Sequence, residues 1–176
     1  MTFVVKGVRR KTRLGQYWAN IQIRCSSPSH LARRPTYEGC ENKFTSFQEF
    51  GDWATVQIGY DEHWPIDKDL LSKGSKVYSE DTCLFLPPAI NSFLVERHKS
   101  KSGMPCGVTY NPISNTFTVS GGRIDRYDKA LRFKTVEEAQ QHYIRKKKLK
   151  AEDLANEYRE KIDPRAYEAL INYQPH

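Results

Sequence analysis

Apolar positions along this chain change period several times, and the changes divide it into short strands and helices. Phe3-Val4-Val5 reads as an edge strand, and Gly7 to Arg13 as a basic arm. Between Tyr17 and Cys25, Trp18, Ile21 and Cys25 share one face at helical spacing, while Ile21-Gln22-Ile23 keeps a strand open. Ser26 to Glu41, rich in Ser, Pro and Gly, reads as a loop carrying Arg33-Arg34. Ser46-Phe47-Gln48-Glu49 is a capping box, and Phe47, Phe50, Trp53, Ala54 and Ile58 give the helix it opens an apolar side. Gly59 to Pro65 then turns the chain.

The stretch Trp64 to Asn91 organises the first half. Ile66 to Leu71 alternates apolar and charged residues before a turn at Lys73-Gly74-Ser75, and Thr82 to Leu86 is a second run that favours a strand. Pro87-Pro88 stops that run, and Ala89 to Arg97 reads as a short helix with Pro88 near its first position. Glu96 to Gly103 is polar without apolar period, a linker between a domain at 1–100 and one at 104–176. In the second domain, Gly107 to Tyr110 and Thr116 to Ser120 form a hairpin about Asn111 to Asn115, and a third strand lies near Ala130 to Phe133. Thr135-Val136-Glu137-Glu138 is a second capping box, opening a helix with Val136, Ala139, Tyr143 and Ile144. Leu154, Tyr158 and Ile162 continue an amphipathic pattern, and Asp163-Pro164 starts a last helix with Tyr167, Leu170 and Ile171 on one side. The fold class is α+β.

Net charge of +7 and a pI near 9.2 suit a polyanionic partner, and the distribution of charge sharpens this. Residues 1–34 hold eight basic residues and no acid, residues 35–100 hold six against eleven acids, and residues 121–150 hold ten against four. Basic flanks around an acidic middle suit a nuclease, whose acids hold a metal while its flanks hold phosphates. Residues 151–176 hold six acids against three bases, so the final helices are expected to pack on the domain or form a homodimer. No signal peptide or membrane span is expected, since Met1 to Lys11 has no long apolar run. Cys25, Cys40, Cys83 and Cys106 include no C-x-x-C pair and read as separate reduced thiols. Zinc on Cys25, Cys40 and Cys83 with His30 or His63 is not expected, because the spacings match no finger pattern.

Asp67 at a strand end and Asn91 on the following helix both offer hard oxygen donors, suited to a magnesium-like ion that keeps most of its waters. The run from IDKDLL through VYSEDTC to FLPPAIN resembles the ββα-metal finger of HNH nucleases, as found in phage-encoded homing endonucleases. That resemblance implies a metal-dependent DNA endonuclease or nickase working with Mg or Mn in the cytoplasm, the bacterial host's if phage-encoded. It puts Asp67 on the metal-binding Asp, Lys68 on the general-base His, Thr82 on the structural Asn and Asn91 on the helical metal ligand. Lys68 departs most from the pattern. As an exposed lysine it ordinarily keeps its proton near pH 7, so it would contact phosphate, and His63 or His98 would have to serve as base.

GVTYN, TFTVSGGR and FKTVEEAQQHY resemble the DNA-binding domain of the APETALA2 type, with Phe133, Thr135, Glu138, Ala139 and Tyr143 on the family's F, T, E, A and Y. The resemblance implies a three-stranded sheet in the major groove of double-stranded DNA, contacted by Tyr110, Thr116, Thr118, Arg123, Arg126 and Arg132. Phe117 stands where a Trp is common and Leu131 where a Gly is usual, so base specificity does not carry over. Arg9, Arg10, Lys11 and Arg13 in the arm, and Lys146 and Lys147 after the sheet, are further candidate phosphate contacts. Two other functions remain open: a host-takeover protein that inhibits a bacterial protein through a decayed nuclease scaffold, and an RNA-binding module. No Ser-His-Asp set, P-loop or dinucleotide fingerprint supports another enzyme class.

Overall fold

The structure, a computed structural model, describes residues 2–5, 8–95, 103–119 and 131–175, with side chains from Thr12 onward. It mixes helix and sheet in an α+β fold and divides into two compact units. One holds Met1–Pro88 with Lys161–Ala166, the other Ala89–Glu160 with Tyr167–His176.

In the first unit, β1 (Thr2–Val5) pairs antiparallel with β2 (Val8–Lys11), Thr2 opposite Lys11 and Val5 opposite Val8. The basic segment expected as an arm is therefore a strand, because Phe3-Val4-Val5 offers it an unpaired backbone edge. α1 (Arg13–Ser26) follows, its first turn capped by Thr12 Oγ1, which accepts the Gly15 N–H at 3.2 Å. Helix thus prevails over the Ile-Gln-Ile alternation, and Tyr17 and Ile21 are buried on its inner face.

The expected loop from Ser26 to Glu41 contains α2 (Pro28–Arg33) and a single 3-10 turn at Pro35–Tyr37. In both elements a proline stands at the start, where its fixed φ favours helical entry and its missing N–H goes unneeded. β3 (Glu41–Asn42) leads to α3 (Phe47–Ala54), where Ser46 Oγ accepts the Glu49 N–H at 3.1 Å and the Glu49 carboxylate takes the Thr45 N–H at 2.6 Å. Because α3 ends at Ala54, Ile58 does not belong to its apolar side and is 48% exposed.

β4 (Ile66–Asp67) is shorter than the alternating run suggests. Asp67 Oδ1 accepts the N–H groups of Asp69 and Leu70 at 3.0 and 2.9 Å, which bends the chain out of the strand. β5 (Val77–Tyr78) pairs parallel with β3, and β6 (Leu84–Phe85) pairs antiparallel with β4, Ile66 opposite Phe85 and Asp67 opposite Leu84. An aromatic core joins these elements: Phe44 meets Phe50 edge-on at 5.2 Å, and Trp53 stacks on Phe85 at 5.9 Å.

α4 (Pro88–Leu94) enters the second unit. There β7 (Val108–Asn111), β8 (Thr116–Val119) and β9 (Leu131–Phe133) form an antiparallel sheet in that order. α5 (Val136–Tyr158) starts at the complete Thr135–Glu138 capping box, and its Ala139 and Tyr143 bury Val108 and Val119 on one face of the sheet. α6 (Pro164–Ile171) follows it.

Candidate functional site

The hairpin of β4 and β6 presents Asp67 at its end, with Oδ1 committed to the two backbone donors of the following turn. The Asp67 carboxylate makes no other hydrogen bond among the described residues. Burial pushes its carboxyl above the ordinary range, opposed by the Leu70 N–H.

Lys68 is not the exposed residue expected. It is 7% exposed, its ammonium donates to the Asp69 carboxylate and, at 3.0 Å, to the Ser75 carbonyl, and it lies 5.7 Å from the centre of the Tyr78 ring. A lysine held this way ties β4 to the turn before β5 and does not reach out to a phosphate, so that expectation is corrected. His63 is exposed in the turn before β4 with a left-handed φ of 61°, and His98 lies outside the described residues.

Thr82 Oγ1 donates to the Val77 carbonyl at 2.7 Å and accepts the Ser79 N–H at 3.0 Å, so its hydroxyl closes the loop that precedes β6. Asn91 sits half-buried on α4, and its side-chain amide makes no hydrogen bond among the described residues. Asp67 and Asn91 fall in different units. Among the described residues no three His, Cys, Asp or Glu side chains cluster closely enough to hold a metal ion.

In the second unit the strand register sorts the candidate contacts. Val108 and Val119 face α5, so Tyr110 and Phe117 share their side and Thr109, Thr116, Thr118 and Arg132 take the other. Thr109, Thr118 and Arg132 form one row across all three strands, with Thr118 Oγ1 donating to the Thr109 carbonyl at 3.2 Å. Tyr110 lies on the α5 side of the sheet but stays 40% exposed; its ring meets Phe117 at 5.3 Å and its hydroxyl donates to Asn115 Oδ1 at 2.8 Å. Thr109 is absent from the candidates that chemistry picks out of the sequence, although its parity relative to Val108 places it on this face.

Lys147 is also corrected as a phosphate contact. It is 3% exposed, and its ammonium donates to the Phe93 carbonyl at 2.9 Å. Lys146 is half-buried, and Arg13 is exposed at the start of α1. Arg123 and Arg126 lie outside the described residues, as do the side chains of Arg9, Arg10 and Lys11, which occupy β2. Among the described residues no helix is long and apolar enough to cross a membrane.

Comparison with protein-family models, with curated proteins and with solved structures finds no match to this chain.

Proposed function

We propose that this protein binds duplex DNA through the open face of its three-stranded sheet and carries a degenerate HNH-type site in the Asp67 loop. The observation that carries this reading is the row Thr109, Thr118 and Arg132, polar and turned away from α5 on a sheet whose other face is packed. Hydroxyl and guanidinium groups on such a face can hydrogen-bond base edges and phosphates. Basic residues at both flanks add the non-specific, salt-sensitive part of the affinity.

The metal half of the reading rests on donor chemistry. Asp67 keeps an oxygen beyond the one spent on its turn, and Asn91 has an unengaged amide carbonyl. In the HNH reading Asp67 would be the residue that takes a Mg or Mn ion, whose positive charge would act at the scissile phosphate. Thr82 supports the resemblance, since its hydroxyl closes the loop as the family's structural Asn does. Lys68 cannot serve as base while its ammonium is engaged, so cleavage depends on His63 or another group, and binding without cutting is the expected ground state.

The test is incubation with supercoiled and linear duplexes, with and without Mg or Mn, beside Asp67→Ala. Salt-sensitive binding supports the DNA reading, and metal-dependent nicking lost in the variant supports an active finger. Neither binding nor nicking sinks both and transfers the weight to a protein-inhibitor role.

A further inference from the structure

Ile113 stands in the turn between β7 and β8 and is 97% exposed. An apolar residue alone on a surface is ordinary, and what sets this one apart is the turn that holds it. Asn111 Oδ1 accepts the N–H groups of Ile113 and Ser114 at 3.0 and 3.3 Å, and Pro112 fixes the backbone just before Ile113. Asn115 closes the turn with a left-handed φ of 49°, its Oδ1 held by the Tyr110 hydroxyl at 2.8 Å. The Ile113 side chain is itself β-branched and stiff about χ1. The fold gains almost no burial from it, yet the backbone beneath it is tied down from both faces of the hairpin.

This turn continues the open face of the sheet. Asn111 pairs with Thr116, and both share the parity of Thr109 and Thr118, away from α5. Ser114 reaches back toward the same side, its hydroxyl 2.7 Å from Thr116 Oγ1. Polar groups therefore run from Arg132 across Thr118 and Thr109 to Asn111, Thr116 and Ser114, and Ile113 lies where they end. A duplex laid on this face meets hydroxyls, an amide and a guanidinium, and at their edge a rigid apolar tip. Proteins that bend DNA insert side chains of this kind between base steps, exchanging the cost of unstacking for a bend that brings more surface into contact.

We propose that Ile113 is a wedge: with the open face of the sheet on duplex DNA, its side chain enters between adjacent base pairs, unstacks them and kinks the duplex. This rests on the reading of the sheet as the DNA-binding face. The row of Thr109, Thr118 and Arg132 holds the duplex, and Ile113 bends it.

The experiment uses the full chain and mixed-sequence duplex DNA. Affinity is read by fluorescence anisotropy, and bending by ligase-catalysed circularisation of a linear fragment of about 120 base pairs, shorter than the persistence length of about 150. Ile113→Ser removes the wedge, Ile113→Leu keeps an apolar tip, and Thr118→Ala combined with Arg132→Ala weakens the face. At saturating protein the wild type should speed circularisation about tenfold, Ile113→Ser should return it to within about twofold of free DNA, and Ile113→Leu should keep most of the gain. Affinity should fall only about threefold in Ile113→Ser, since unstacking offsets most of what burying the side chain contributes. Its melting temperature should match the wild type, because an exposed side chain supports no packing. A wild type that binds DNA without speeding circularisation, or Ile113→Ser that speeds it equally, overturns the wedge and leaves the DNA-binding sheet standing. No salt-sensitive binding by the wild type, or binding indifferent to Thr118→Ala with Arg132→Ala, overturns the DNA-binding sheet and the wedge with it.

Discussion

The ammonium of Lys68 donates to the backbone carbonyl of Ser75 at 3.0 Å, which makes Lys68 a strut of the loop. Its ion-pair partner Asp69 keeps 56% of its side chain exposed, so solvent weakens that contribution and the carbonyl bond matters more. Lys68→Met should cost about 1.5–3 kcal/mol, the usual worth of a charged hydrogen bond. Urea unfolding measures this, and DNA affinity of the folded variant should not change. A weaker complex at unchanged stability would return Lys68 to the phosphate-contact role.

Thr82 offers a second test of the same loop. Its hydroxyl both donates to Val77 and accepts from Ser79, and the neighbouring Cys83 N–H donates to the Ser79 carbonyl at 3.0 Å. Thr82→Val conserves shape but strands a backbone donor and a backbone acceptor, so a loss of about 1–3 kcal/mol is expected. Thr82→Asn, which restores an acceptor and a donor, should lose less. Equal losses in the two variants would mean that packing, and not the hydroxyl, holds the loop.

Asp67 ties stability to pH. Burial raises its carboxyl, so the folded chain holds that proton more tightly than the unfolded chain does. Its contribution to stability is therefore fully present below the ordinary carboxyl value of about 3.9 and lost as pH rises through the raised folded value. At neutral pH the ionised Asp67 destabilises the fold. Asp67→Asn keeps an oxygen for the Asp69 and Leu70 N–H groups without the charge. It should melt no lower than the wild type at pH 7, with any advantage shrinking toward pH 4. Melting curves across pH 4 to 8 decide it, and a variant clearly less stable at pH 7 would show that the charge supports the turn.

The thiols give a prediction on access. Burial pushes Cys83 up to about 12 and Cys25 up to about 11, and raises Cys40 as well. All three should stay protonated and slow toward iodoacetamide at pH 8 until the chain is unfolded. Mass spectrometry of briefly alkylated protein reports each site, and rapid native labelling of Cys83 would mean that the core around β6 opens readily.

Local chemistry is legible in the sequence and long-range pairing is not. The Thr135–Glu138 capping box and the hairpin strands of β7 and β8 declare themselves within a few residues, and each forms as its residues indicate. The parallel pairing of β3 with β5 joins two-residue strands separated by more than thirty positions, with no local pattern to announce it. Lys68 reads as surface because charge normally is; its burial depends on Ser75 and Tyr78, which nothing local ties to it. The face Tyr110 takes follows from its parity with Val108, which its chemistry alone does not announce. Lys147 is legible in the same way: it falls in the stripe Ala139, Tyr143, Lys147, Ala151, Leu154, whose other members are all small or apolar enough for a core.

Gly107 and Tyr143 make the tightest test of the second unit. Gly107 adopts a φ of +78°, which a side chain resists, and a Cβ there would lie 2.2 Å from two carbons of the Tyr143 ring. Tyr143 cannot simply swing aside, since it packs between α5 and the sheet and its hydroxyl lies 3.4 Å from Cys106 Sγ. Gly107→Ala therefore combines a left-handed backbone cost of about 1–2 kcal/mol with an overpacking cost of about 1–3 kcal/mol. The sum is a large share of the roughly 5–15 kcal/mol typical of a folded domain. A double-mutant cycle with Tyr143→Leu separates the two parts. In the Tyr143→Leu background the steric part should vanish and Gly107→Ala should cost only the backbone part. An unchanged cost there would mean that the turn conformation alone requires glycine and that the ring contact contributes nothing.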